Sequence, residues 1–77
     1  MEGMILITFQ ALPHLTKELR VPSFVTSEQL LAMLSEALGF TVSPGHRLQA
    51  EPLGRILDPA RTLEEEGVAA GALLTLV

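Results

Sequence analysis

A chain of 77 residues is a single domain near the lower limit at which one core supports itself, and with no cysteine it has neither disulfides nor cysteine-ligated zinc to help. Hydrophobic residues make up 48% of it and aromatics only 4%, which argues against disorder and calls for an aliphatic core around Phe9, Phe24 and Phe40. The formal charge of −4, with no run of Lys or Arg, argues against nucleic acid and anionic membrane as partners.

Residues Met1 to Gly3 read as a short lead, after which Ile5, Ile7 and Phe9 alternate with Leu6, Thr8 and Gln10 at the period of a half-buried strand. Leu12-Pro13-His14-Leu15 interrupts the alternation, and Leu19 and Val21 resume it against Glu18 and Arg20. The two strands are expected to form an antiparallel hairpin with a loop longer than two residues. Pro22 ends the second strand.

A helix start follows, with Thr26 as N-cap, Gln29 three residues on, and Val25 before the cap facing Leu30: a capping box with a hydrophobic staple. Leu30, Leu31, Leu34, Ala37 and Leu38 recur at helical spacing with Met33 at the margin, and Gly39 supplies the left-handed end, where Phe40 can fold back on the last turn. After the Ser43-Pro44-Gly45 turn, Arg47 to Ala50 reads as a short strand with Leu48 inward, and Ile56-Leu57 as a briefer one. Asp58-Pro59-Ala60-Arg61 is a turn, and Thr62-Leu63-Glu64-Glu65 is a second capping box on a single helical turn before Gly67. Ala72 to Val77 is apolar throughout, as suits a strand inserted between others and covered by the helix.

Chemistry is sparse along this order. His14 and His46 have no second ligand at a useful spacing, Thr26 and Thr62 have no base to activate them, and Glu64-Glu65-Glu66 reads as a solvated turn at the positive end of its short helix. Arg61 is placed to tie loop carbonyls together. No catalytic, cofactor-binding or metal-binding residue is expected, and no cofactor. The functional candidates are apolar residues with outward parity: Met4 and Leu6 on the first strand, Leu73 and Val77 on the last, with Leu12 and Leu15 in the hairpin loop. If the first and last strands are neighbours, Met4, Leu6, Leu73 and Val77 meet on the face away from the helix as a protein-binding patch. Self-association into a homo-oligomer is an equally simple use of such a patch.

The order strand, strand, long helix, strand, short strand, helical turn, strand resembles the β-grasp fold of ubiquitin. Arg61-Thr62-Leu63, Val68 and the Leu74-Thr75-Leu76-Val77 ending carry the likeness. Within that superfamily, LDPARTLEEEGVAAGALLTL is most similar to the bacterial YukD/EsaB ubiquitin-like proteins and to a related cytoplasmic domain of a type VII secretion membrane subunit. The pattern lies in Asp58, Thr62, Leu63, Glu65, Gly67, Val68 and Gly71. The resemblance implies an α+β fold over residues 1–77, with a mixed sheet of four to five strands crossed by one α-helix and a short helical turn before the last strand.

It further implies a cytoplasmic, non-catalytic, protein-binding accessory of a type VII-like secretion system. An apolar segment of the roughly 20 residues that span a bilayer is lacking, so direct membrane insertion is not expected, and MEGMILITF lacks the positive flank of a signal peptide. Two departures from ubiquitin bear on function. A strand ending at Val77 without a Gly-Gly tail argues against a sulfur carrier or conjugated modifier. Gln49 falls where ubiquitin has the isoleucine at the centre of its recognition patch, so ubiquitin's partners do not transfer. An accessory ubiquitin-fold subunit of a multicomponent monooxygenase-like complex is the alternative reading.

Overall fold

A computed structural model describes residues 3–11 and 14–77. Strand β1 (Met4–Ala11) and strand β2 (Leu15–Pro22) form the antiparallel hairpin, with Met4 opposite Pro22 and Ala11 opposite Leu15. Helix α1 (Ser27–Leu38) follows, then β3 (Leu48–Glu51), β4 (Arg55–Ile56) and β5 (Leu73–Leu76). The sheet order is β2-β1-β5-β3-β4, with β1 and β5 parallel and the other pairs antiparallel. This is the mixed five-stranded sheet and single helix of a ubiquitin-like β-grasp. The apolar ending lies at its centre, because a strand of nearly continuous hydrophobic residues is stable only with partners on both edges and cover on a face.

Alternation along the strands sends one set of side chains under the helix. Ile7 and Phe9 from β1, Val21 from β2, Leu48 and Ala50 from β3 and Leu74 from β5 meet Leu30, Leu31 and Leu34 of α1 in one buried cluster. Each fully buried leucine contributes on the order of 1.5–3 kcal/mol, which outweighs any single cap or ion pair in so small a domain. Leu57, Leu63, Val68 and Ala72 extend the cluster under the last loop. Of the three phenylalanines expected in the core, Phe9 and Phe40 are there and Phe24 is not. Phe24 is 62% exposed, its ring lying over Gly3, where an added Cβ would come within 3.2 Å of it. Phe40 turns inward to stack on Phe9, with ring centroids 5.3 Å apart. Val25, the staple residue, is half-buried against the core.

The caps form as the sequence predicts. Thr26 Oγ1 accepts from the Gln29 amide at 3.1 Å while Gln29 Oε1 accepts from the Thr26 amide at 2.9 Å, and Gly39 ends the helix at φ 78°. Thr62 and Glu65 repeat the reciprocal pair at 3.0 and 2.9 Å. The two caps are neighbours in space: Thr26 and Thr62 form an isolated antiparallel bridge, flanked by bonds from the Leu63 amide to the Val25 carbonyl and from the Ser27 amide to the Arg61 carbonyl. The start of the helix is thereby docked on the loop that leads to β5.

Candidate protein-binding face

The face of the sheet away from α1 is built by the residues that alternate with the core. On β1 these are Met4, Leu6, Thr8 and Gln10, with Pro22, Arg20, Glu18 and Thr16 of β2 opposite them; on β5 and just beyond it, Leu73, Thr75 and Val77; on β3, Gln49 and Glu51. The parallel register sets Thr8 beside Leu73 and Gln10 beside Thr75, so Leu6 is the diagonal neighbour of Leu73. Met4 sits two residues further along β1, opposite Pro22. Val77 lies at the other end, its backbone paired with Arg47 through bonds of 3.0 and 2.9 Å. Four residues of strand separate it from Leu73, about 13 Å. Met4, Leu6 and Leu73 therefore make one apolar run, and Val77 stands apart from it behind Thr75.

Leu6 is 43% exposed and Val77 46%, while Met4 and Leu73 are half-buried. Leu15, expected to face outward in the hairpin loop, instead begins β2 opposite Ala11 and packs against the core, because the strand restarts one residue after His14. Leu12 lies outside the described residues. A further apolar residue joins the outer face: Ile56 on β4 is 55% exposed and sits opposite Gln49. Its signal is the inward Leu57 beside it, since neighbours on a strand point to opposite faces. Gln49 keeps a polar group at the middle of this side of the sheet, its amide 3.3 Å from the Glu51 carboxylate.

The acidic triplet is not uniformly solvated. Glu64 and Glu65 are exposed, but Glu66 is only 6% exposed, with Oε2 accepting from the Asp58 amide at 2.7 Å and Oε1 held by the Arg55 guanidinium. Arg55 also donates to the Glu66 carbonyl at 2.7 Å. The Asp58 amide first and the Arg55 guanidinium second hold the Glu66 carboxyl below the usual carboxylate range, against the opposing effect of burial. Arg55, rather than Arg61, is thus the side chain that ties loop groups together; Arg61 is exposed with Asp58 3.9 Å away. The local reason is helical phase. Glu65 is turned back to its cap, and the next residue on a tight turn points about 100° away, which here is inward.

An open groove of about 580 Å3 lies between α1, the loop before β3 and Pro59. His46 lines it, and its Nδ1 accepts from the Ser43 amide at 2.9 Å, so the imidazole braces its own loop. Two of its hydroxyls are tied to the backbone, Ser27 donating to the Asp58 carbonyl at 3.1 Å and Ser35 to the Phe40 carbonyl at 2.6 Å. Among the described residues no helix is long and apolar enough to cross a membrane.

A family model described as "WXG100 protein secretion system (Wss), protein YukD" matches residues 4–76. Among solved structures, a de novo design based on ubiquitin is 31% identical, with 99% of this chain and 89% of that chain covered and a TM-score of 0.77. The ubiquitin of Caldiarchaeum subterraneum is 26% identical over 96% of this chain and 91% of its own, at a TM-score of 0.75. The ubiquitin-like domain of tubulin-binding cofactor B is 20% identical over 100% and 91%, at a TM-score of 0.80, a likeness of fold alone. No curated protein sequence matches the chain.

Proposed function

The chain belongs to the YukD family of the WXG100 protein secretion system, and from that premise we propose that it is a non-catalytic accessory that binds a protein component of the secretion machinery in the cytoplasm. The family match over residues 4–76 is the observation that carries this reading. The surface we assign to the contact is the outer sheet face, with Met4, Leu6 and Leu73 as its apolar centre and Val77 at its far end. Supporting this choice, Leu6 exposes apolar surface on β1, which is paired on both edges, and Val77 does so just beyond β5 with its backbone bonded to Arg47, so little order is lost when a partner covers them. Around the apolar residues stand Thr8, Gln10, Thr75 and Gln49, with Arg20 opposite Leu6 and Glu18 opposite Thr8, a polar rim that suits recognition by burial of an apolar centre.

The test is deletion of the gene in a strain that has the secretion machinery, with export of its small helical substrates as the readout. Deletion is expected to lower export, the intact chain to restore it, and Leu6→Glu to fail to restore it at normal protein level. Unchanged export after deletion overturns the secretion role. Full rescue by Leu6→Glu overturns the assignment of the face.

A further inference from the structure

The sheet has two edges of unequal kind. β4 is two residues long, whereas β2 presents eight residues with, among the described residues, nothing paired outside them. The Thr8 amide bonds to the Ala72 carbonyl and the Gly71 amide to the Leu6 carbonyl, so the even residues of β1 turn their backbone groups towards β5 and the odd ones towards β2. Carried through the hairpin register, this leaves the amides and carbonyls of Thr16, Glu18 and Arg20 pointing away from the sheet, while those of Lys17, Leu19 and Val21 are bonded to β1. Such an edge is a template for another strand, and charge on it normally discourages pairing. Here Glu18 and Arg20 flank Leu19 with opposite signs, both exposed and, among the described residues, in no ion pair.

That arrangement is self-complementary in one antiparallel register. A pairing centred on Glu18 would set that carboxylate against its own copy, and pairings centred on Lys17 or Arg20 would oppose like cations. Centred on Leu19, the pairing sets Glu18 against Arg20 on both sides of the axis, with Leu19 meeting Leu19 on the helix side. We propose that this chain forms a two-fold dimer through β2, each Glu18 facing Arg20 of the second copy and Leu19 lying on the axis. Each Glu18–Arg20 pair then exchanges both backbone hydrogen bonds, and the ladder ends at Pro22, which has no amide to donate.

The flank of β2 fits the same occupant. Between β2 and α1 runs a mostly apolar groove of about 190 Å3, lined by Leu19, Val21, Leu30, Met33 and Ala37 among others, with Met33 45% exposed. The inward side chains of a second β2 extend the sheet beneath this groove and cover Leu19 and Met33. The two-fold axis is perpendicular to the sheet, so both outer faces lie on one side. The dimer does not depend on the secretion reading.

Sedimentation of the full chain over a concentration series tests it. The wild type is expected to dimerise, and E18R and R20E alone each to raise the dissociation constant by about tenfold or more by turning two attractive cross-strand pairs repulsive. The double variant E18R/R20E restores the opposite pairing and is expected to dimerise within a few-fold of wild type. Amide exchange supplies a second readout: the Glu18 and Arg20 amides gain protection only at concentrations where the dimer forms, whereas those of Lys17 and Leu19 are protected throughout. A chain monomeric at every concentration, including one whose β2 edge takes up an extended peptide instead, overturns the proposal. So does a dimer indifferent to the single reversals, or a double variant no better than they are.

Discussion

Glu66 shows what one carboxylate does in a domain of this size. It closes the segment from Arg55 to Val68 by satisfying the Asp58 amide and the Arg55 guanidinium together with a carboxylate that is itself buried. Replacing it with Gln keeps the shape but offers one acceptor and a donor, so Asp58 or Arg55 loses its partner; a loss of about 1–3 kcal/mol in urea unfolding is expected. Because the folded carboxyl titrates below its unfolded value, its contribution is complete above the ordinary carboxylate range and is lost as pH falls through the depressed folded value. Glu66→Gln should therefore flatten the acid limb of the stability profile, which unfolding at a series of pH values measures. Of the three adjacent glutamates, sequence alone distinguishes Glu65 by its cap spacing but not Glu66, since inward phase on a single turn is decided by what the turn packs against.

At the scale of elements, the two capping boxes act as one joint. Thr26 starts α1, Thr62 starts the last turn, and the bridge between them holds the helix to the loop that feeds β5. Thr26→Ala and Thr62→Ala are each expected to cost about 1 kcal/mol. The two losses should not add, because the caps share the bonds between Val25 and Leu63 and between Ser27 and Arg61, and a double-mutant cycle by thermal or urea unfolding would reveal the coupling. Both caps are legible in sequence from Thr-x-x-Gln and Thr-x-x-Glu, as are the Gly39 terminus and the inward leucines of α1. Their adjacency is not, since it depends on how the loop after β4 passes the helix start. The strand limits shift for a related reason: β3 runs to Glu51 rather than beginning at Arg47, its length being set by the partner β5 and not by its own residues.

For the molecule as a whole, β5 is the keystone, paired on one edge to β1 and on the other to β3, with Leu74 wholly buried between sheet and helix. Leu74→Ala is expected to cost about 2–5 kcal/mol, a large share of the 5–15 kcal/mol available to a typical domain, and calorimetry should find it barely folded at physiological temperature. By itself the sequence determined the order of elements, the alternation that divides core from outer face and the caps, because periodicity, turn chemistry and capping are local properties of the chain; the β-grasp class came from the likeness of that order and of the closing segment to ubiquitin. Only the tertiary structure decided that Phe24 lies outside, that Leu15 joins the core, that Ile56 joins the outer face and that Glu66 is buried. It also set Leu6 beside Leu73, with Val77 apart from both. Each of these depends on contacts between residues distant in sequence, where register and packing, rather than the side chain's own preference, settle which surface is left to water.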